Sequence, residues 1–196
     1  MADFNDILGS DATHIQAVEL ISFQPTVRTQ SLSGRSQVRT FGGQLFSMKI
    51  QMPPMTASDL RKVYGFLVSK KGGFSSFTIA PHNLKQVGGT QGTSVGCGAG
   101  AIGATSITLD SGTGLYKMGD MIKFSGHDKA YMISQDQGGT TTINFEPGLI
   151  AAVGSSETIK SGSTFEMTVR LDGDTFTYQQ GNDGYGTIEF DVIEAV

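Results

Sequence analysis

Apolar and polar residues alternate in several short stretches of the first 87 residues, as they do in strands with one buried face. The clearest stretch is residues 44–52, in which every second residue from Phe46 to Met52 is apolar and the residues between them are mostly polar. Pro53 and Pro54 end it, because proline cannot donate a hydrogen bond to a strand ladder. Similar patterns predict strands at residues 19–27, 36–41 and 74–80.

One segment in this region has helical spacing instead. Its apolar residues recur three and four positions apart, at Leu60, Val63, Tyr64, Leu67 and Val68. Thr56 or Ser58 can cap the amino end, and Asp59 lies in the first turn. Lys70 and Lys71 suit the negative end of the helix dipole, and the glycine pair that follows predicts the stop.

The rest of the chain again predicts strands. Residues 106–109, 121–124, 130–134 and 141–145 are short and closely spaced, with turn residues between them, which is typical of a small β-barrel. Residues 165–171, 175–178 and 187–193 alternate like the opening block. We therefore expect a mainly β fold with one α-helix. Residues 1–87 and 164–196 would form one sheet-and-helix domain, and residues 88–163 an inserted unit.

Glycine is unusually frequent, at 27 of 196 residues, and eleven of these lie between Gly88 and Gly126. Each glycine costs a helix about 1 kcal/mol relative to alanine. The glycine-rich start of the inserted unit is therefore predicted to be a flexible connector.

Charge is sparse and unevenly distributed. Charged residues make up 16% of the chain and the net charge is −4, which argues against a dedicated nucleic-acid binder. Residues 1–87 hold nine basic and five acidic residues, whereas the remainder holds five basic and thirteen acidic ones. This asymmetry suits a subunit that meets a copy of itself or two different neighbours. An uneven spread of solvated charges is the alternative.

Several features bear on compartment. A single cysteine, Cys97, excludes an internal disulfide framework. No apolar run approaches the roughly 20 residues needed to cross a bilayer, so we expect no membrane association. The acidic amino terminus lacks the pattern of a signal peptide.

The motifs that suggest chemistry lack the context that the chemistry needs. Gly98, Gly100 and Gly103 match the dinucleotide fingerprint, but the residues after them alternate like a strand rather than opening a helix. His14, His82 and His127 are isolated from one another, which gives a zinc site little support. No pair of carboxylates or serine elbow can be nominated for hydrolysis. The sequence therefore predicts no enzyme, no cofactor and no metal.

Two sets of residues are candidates for binding. Arg28, Arg35 and Arg39 surround a Ser/Gly-rich turn and could contact the acidic surface of a partner or of another copy; a solvated hairpin tip is the alternative. Tyr116, Phe124 and Tyr131 could stack on sugars, but packing in a core is the favoured interpretation of these rings.

The order of motifs resembles a family of distal tail and baseplate proteins of tailed bacteriophages. The resemblance lies in Arg39-Thr-Phe-Gly-Gly-Gln44, the alternating strand after it, Pro53-Pro-Met-Thr56, and the helix and strand that follow. The stretches Leu115-Tyr-Lys-Met-Gly-Asp120 and Phe145-Glu-Pro-Gly-Leu149 resemble the module that this family inserts. Together these motifs cover about two thirds of the chain.

The resemblance implies a structural role in the virion tail, with assembly in the host cytoplasm. A tail-tube-like β-sandwich with one flanking helix, from residues 19–80 and 165–195, would form a closed ring, by resemblance a hexamer. The small β-barrel at 105–160 would project as a docking or carbohydrate-binding module. The implied partners are other copies of the chain, the tail tube, the baseplate hub and, further out, receptor-binding proteins. The family has no catalytic residues to transfer. A carbohydrate-binding module or another tail or neck adaptor is the alternative function.

Overall fold

The computed structural model describes residues 4–8, 15–40, 42–110, 114–138 and 141–196. Two α-helices lie within them, α1 (Ala57–Ser69) and the short α2 (His82–Lys85). The strands are β1 (Ala17–Phe23), β2 (Thr26–Gln30), β3 (Ser36–Thr40), β4 (Leu45–Gln51), β5 (Met55–Thr56), β6 (Phe77–Ile79), β7 (Ser94–Gly96), β8 (Ser106–Thr108), β9 (Met121–Phe124), β10 (Ala130–Ile133), β11 (Thr142–Glu146), β12 (Thr158–Ser161), β13 (Met167–Leu171), β14 (Thr177–Gln180) and β15 (Tyr185–Glu194).

Seven strands form an antiparallel sheet in the order β1-β4-β15-β13-β6, with β5 and β14 also paired to β15. The predicted alternation in β4 is confirmed, because Phe46, Met48 and Ile50 are buried on one face. Val192 and Phe190 of the central strand lie beside them in register. This face of the sheet is the main hydrophobic core.

Helix α1 covers that face with Leu60, Val63 and Leu67, all fully buried. Of the two candidate caps, Thr56 and Ser58, the structure has Thr56, whose hydroxyl accepts a hydrogen bond from the Asp59 amide at 3.4 Å. The helix ends one turn before the expected glycine stop. Lys71 and Gly72 after the helix are both left-handed, with φ of 56° and 64°, and residues 72–74 form a single 3₁₀ turn.

The second sheet contains six strands in the order β7-β12-β9-β10-β11-β8. It curls until its edge strands meet: the Gly98 amide donates to the Thr108 carbonyl at 2.8 Å, and the Asp110 amide donates to the Gly96 carbonyl at 3.0 Å. The sheet encloses a separate cluster of buried residues, as a small barrel does. We call this curled sheet the barrel. The expected mainly β fold with one substantial helix is confirmed.

The glycine-rich segment, whose composition predicts a flexible connector, takes part in the pairing of the barrel sheet. It contains β7, and two isolated bridges continue the pairing, Cys97 with Leu109 and Gly100 with Val153. Its start is attached to the barrel by Asp120, whose carboxylate accepts hydrogen bonds from the Gly88 amide at 2.7 Å and the Gln91 side chain at 2.8 Å. Distant partners have overridden a poor local propensity.

A third, two-stranded sheet consists of β2 and β3 alone. The predicted strand at 19–27 is therefore divided in two, with Gln24 and Pro25 between the parts. Every residue of β2 and β3 is exposed. We call this hairpin, residues 26–40, the arm.

The seven-stranded sheet takes its strands from residues 17–79 and 167–194, and the barrel takes its strands from residues 94–161. The division of the chain into two separately folding domains, 1–87 with 164–196 and 88–163, stays a prediction. None of the helices in the described ranges has the length and apolar character to span a bilayer.

Candidate interaction surface

The arm places the three predicted arginines in solvent. Arg28 of β2 lies opposite Val38 of β3, and Val27 lies opposite Arg39. Because residues directly opposite each other share a face of a two-stranded sheet, each face of the arm carries one arginine and one valine. Each face thus combines a cation with an exposed apolar group, a composition found in protein interfaces.

Arg35 lies at the turn of the arm. The Ser31 amide donates to the Arg35 carbonyl at 2.9 Å, which closes the turn and leaves the arginine side chain exposed. Leu32 at the same turn is fully exposed. Exposed cationic and apolar side chains are therefore both present at the tip of the arm.

The arm also carries an unbalanced charge. Residues 24–44 contain these three arginines and no acidic residue. In the described part of the chain, each ion pair involves a lysine, so none reaches Arg28, Arg35 or Arg39. The guanidinium groups are available for carboxylates of another molecule.

The base of the arm is closed by a side-chain hydrogen bond. The Gln44 amide nitrogen donates to the Ser22 hydroxyl at 2.8 Å. Ser22 lies just before the chain leaves the seven-stranded sheet, and Gln44 lies just before it returns as β4. One contact thus joins the two ends of the segment that carries the arm.

A lysine from the barrel also reaches this base. Lys129 Nζ donates to the Gln44 carbonyl at 2.8 Å and to the Gln44 side-chain oxygen at 3.0 Å. Its third partner is the carboxylate of Glu194, at the end of β15. The Lys129 and Glu194 side chains are 1% and 0% exposed, so this ion pair is buried.

The Glu194 carboxylate is also hydrogen-bonded to main-chain amides. It accepts hydrogen bonds from the Ala130 amide at 2.5 Å and from the Phe46 amide at 3.2 Å. Burial lowers the pKa of the Lys129 ammonium, and the hydrogen bond to Glu194 opposes that shift. The sequence analysis missed this pair, because a lysine in a polar turn is expected to be solvated. The available signal was Glu194, a charged residue at a position of β15 that the alternation assigns to the buried face.

A cleft runs between the base of the arm and the barrel. It encloses about 400 Å³, with Gln24 and Pro25 on the arm side and Pro147 and Ile150 on the barrel side. A neighbouring pocket of about 300 Å³ shares Gln24, Gln44, Glu146 and Pro147 with it. The arm and barrel thus present one continuous, mostly apolar concave surface.

The three aromatic residues proposed as sugar platforms are all in the barrel core. Tyr116, Phe124 and Tyr131 are 0% exposed. The Phe124 ring contacts that of Tyr131 at 5.3 Å between centroids, in an edge-to-face arrangement. A ring without an exposed face cannot stack on a sugar, so these three residues pack in the core, as the favoured interpretation has it, and offer no sugar platform.

The candidate chemical motifs are also structural. Gly103, the last glycine of the fingerprint, is followed within a few residues by β8, and the required helix is missing from this part of the described chain. His127 is buried, with Nδ1 at 3.2 Å from the Tyr131 hydroxyl. His14 lies outside the described residues. The described residues include no group of three or more His, Cys, Asp or Glu side chains that could hold a metal ion.

No protein-family model matches the chain. The distal tail protein pb9 of Escherichia phage T5 is 26% identical to it over 193 residues, covering 92% of each chain. The chain is a distant homologue of this phage distal tail protein. The similarity to pb9 spans both the seven-stranded sheet and the barrel, because it extends over nearly the full length. The family resemblance read from the motifs is confirmed.

Proposed function

We propose that this protein is a structural subunit of a phage tail, and that it forms a closed ring at the distal end which links the tail tube to the baseplate hub. The single observation that carries the proposal is the near full-length homology to distal tail protein pb9. Its site of action is then the virion tail, after assembly in the host cytoplasm. The proposal assigns no reaction, cofactor or metal to the chain.

The exposed arm supports self-association. Its arginines and its exposed leucine and valines are unpaired within the described part of the protomer. Residues 88–196 hold thirteen acidic and five basic residues, so a second copy offers carboxylates to the arm. We therefore assign Arg28, Arg35 and Arg39 to the contact between copies.

The edge of the seven-stranded sheet gives further support. β1 contains seven residues, pairs only with β4 among the described strands, and leaves its other side open. An open edge is a liability in a monomer and a contact surface in a closed ring, where each edge meets the next copy. Six copies are proposed, on family resemblance.

The barrel would then face outward, where it contacts hub or receptor-binding proteins. A carbohydrate-binding role gains no support from Tyr116, Phe124 and Tyr131, because their rings are buried. The cleft beside Pro147 and Ile150 suits a segment of a partner protein better than a sugar, since its lining is mostly apolar.

Mass photometry of the purified chain across a range of micromolar concentrations tests the ring. We expect a single oligomer with the mass of six 20.7 kDa chains, and negative-stain images of closed rings. A monomer at every concentration, both alone and after addition of the tail-tube protein encoded by the same phage, would overturn the proposal. Immunogold labelling of intact tails checks the location independently.

A further inference from the structure

The barrel supplies a buried cation to the base of the arm. Lys129 lies just before β10, on the side of the barrel that faces the seven-stranded sheet. Its ammonium donates hydrogen bonds to two oxygens of Gln44 and forms an ion pair with Glu194. Three parts of the molecule therefore meet at one side chain: the barrel, the central strand β15 and the base of the arm.

We propose that Lys129 and Glu194 are positioning residues that fix the direction in which the arm leaves the sheet, so that the barrel must be seated on the sheet for the arm to contact a neighbouring copy. This rests on the proposed function in one respect, that the arm is a contact between copies. The positioning itself concerns the single protomer and has its own measurement.

The geometry of the arm base carries the inference. The arm forms its own two-stranded sheet and is exposed along both strands, so its own residues contribute little to holding it against the rest of the protein. Its direction is set where the chain leaves and returns, at Ser22 and Gln44, which are hydrogen-bonded to each other. Whatever holds Gln44 therefore restrains the point at which the chain returns from the arm to the sheet.

Lys129 holds Gln44 through both the main chain and the side chain. The main-chain contact fixes the position of the backbone at the return point, and the side-chain contact orients the amide so that its nitrogen faces Ser22. A lysine ammonium offers three donors, and here Glu194 takes the third. Because the pair is buried, water does not compete for these hydrogen bonds.

A second buried lysine provides a matched control. Lys123 of β9 also bridges the barrel to the seven-stranded sheet, with its Nζ at 2.9 Å from the Thr168 hydroxyl of β13 and 3.7 Å from the Asp128 carboxylate. Its side chain is 7% exposed. Among the described residues its polar contacts are with Thr168 and Asp128 rather than with Gln44 or the arm, so it shares the bridging role of Lys129 without the connection to the arm.

Amide hydrogen exchange on the full-length chain tests the positioning. The test variant combines Lys129→Met with Glu194→Gln, which avoids leaving a single buried charge, and Lys123→Met is the control. A two-stranded hairpin without support is only marginally stable, so loosening its base should let it open more often. Exchange of the amides of residues 26–40 should therefore become about tenfold faster in the test variant and stay unchanged in the control. Equal arm exchange in the test variant and the parent protein would overturn the inference.

Gln44→Ala provides an independent variant should the double substitution prevent folding. It leaves the buried ion pair intact and removes the contacts of the Gln44 side chain with Ser22 and Lys129, so arm exchange should again increase. Unchanged exchange in Gln44→Ala would count against the positioning.

Mass photometry of the same variants separates this inference from the ring. If the parent chain forms rings, the test variant should need about tenfold more protein for half-maximal assembly, and Lys123→Met should assemble normally. Rings of unchanged affinity together with unchanged arm exchange would refute the positioning and leave the ring intact. Faster arm exchange in the test variant, in a protein whose parent chain stays monomeric, would support the positioning and refute the ring.

Discussion

The carboxylate of Asp120 lies 2.7 Å from the backbone nitrogen of Gly88, 32 residues earlier in the chain. Its second oxygen accepts hydrogen bonds from the Gln91 side chain and from the Lys117 amide, at 2.8 and 2.9 Å. One side chain thus attaches the start of the glycine-rich segment to the loop before β9. Asp120 is 3% exposed, so water cannot replace it.

Asp120→Ala is therefore expected to destabilise the protein by about 2–4 kcal/mol, because it leaves several donors unsatisfied. Asp136 is the control. It also accepts a backbone hydrogen bond, from Met118 at 2.9 Å, but it is exposed and water can take its place. Urea unfolding measures both variants, and an equal loss in the two would contradict the role assigned to Asp120.

The buried ion pair of Lys129 and Glu194 makes a second prediction. Glu194→Gln alone leaves a buried ammonium without its counter-charge, which should cost about 3–5 kcal/mol. Lys129→Met together with Glu194→Gln should cost less than the two single substitutions added together, because the double variant has no unpaired charge. A double-mutant cycle from urea unfolding measures this, and strict additivity would show that the two groups do not interact.

A third prediction concerns the arginines of the arm. Arg28→Glu, Arg35→Glu and Arg39→Glu should each weaken assembly of copies while changing the free energy of unfolding by less than about 0.5 kcal/mol, because the side chains are exposed. Arg61→Glu, on the exposed side of α1, should leave assembly unchanged. Mass photometry and urea unfolding provide the two readouts. Weakening by Arg61→Glu to the same degree would point to net charge rather than the arm.

A fourth prediction concerns the close packing around Gly186 of β15. A Cβ at this position would lie 2.4 Å from the Gln179 carbonyl oxygen and 2.7 Å from a Leu60 methyl carbon, because helix α1 and strand β14 both approach it closely. Gly186→Ala should therefore cost about 1–3 kcal/mol. Gly43→Ala is the control, since its Cβ would meet nothing within 4 Å, and thermal unfolding should separate the two variants.

A fifth prediction concerns the reactivity of the Cys97 thiol. Burial in the barrel raises the pKa of its thiol from 9.0 to about 11. A thiol-specific reagent at pH 8 should react slowly with the folded protein and rapidly in denaturant. The folded state favours the protonated thiol, so the unfolded chain loses its proton first as pH rises. The stabilisation is complete below pH 9 and is lost as pH rises towards 11. Cys97→Ala should flatten part of this alkaline decline in an unfolding series.

The elements that the sequence predicted well are those whose signal is local. In β4 the apolar residues fall on every second position, and in α1 they fall on one side of the helix beneath a Thr56 cap. Each pattern depends only on neighbours in sequence. The Arg28 and Arg39 hairpin was likewise predictable, because a Ser/Gly-rich turn separates two β-rich stretches.

The elements that it missed depend on distant contacts. Strand β7 is poor in strand-forming residues and pairs with β12, which is itself short and was also not predicted. The order around Gly88 comes from Asp120, and the burial of Lys129 comes from Gln44 and Glu194. Each of these requires knowing which distant segments meet, and the spacing of residue types along one chain does not contain that information.

The position of β15 at the centre of the seven-stranded sheet has a consequence for folding kinetics. Its residue Glu194 meets Phe46, which is 148 residues away, so this sheet closes a very long loop, and long-range pairing is slow. The barrel strands β9 and β10 pair across a short turn instead. We expect the barrel to form first and to shorten the loop that the sheet must close. Lys129, delivered by the barrel, then reaches Glu194 in the last stage, when the arm acquires its final direction.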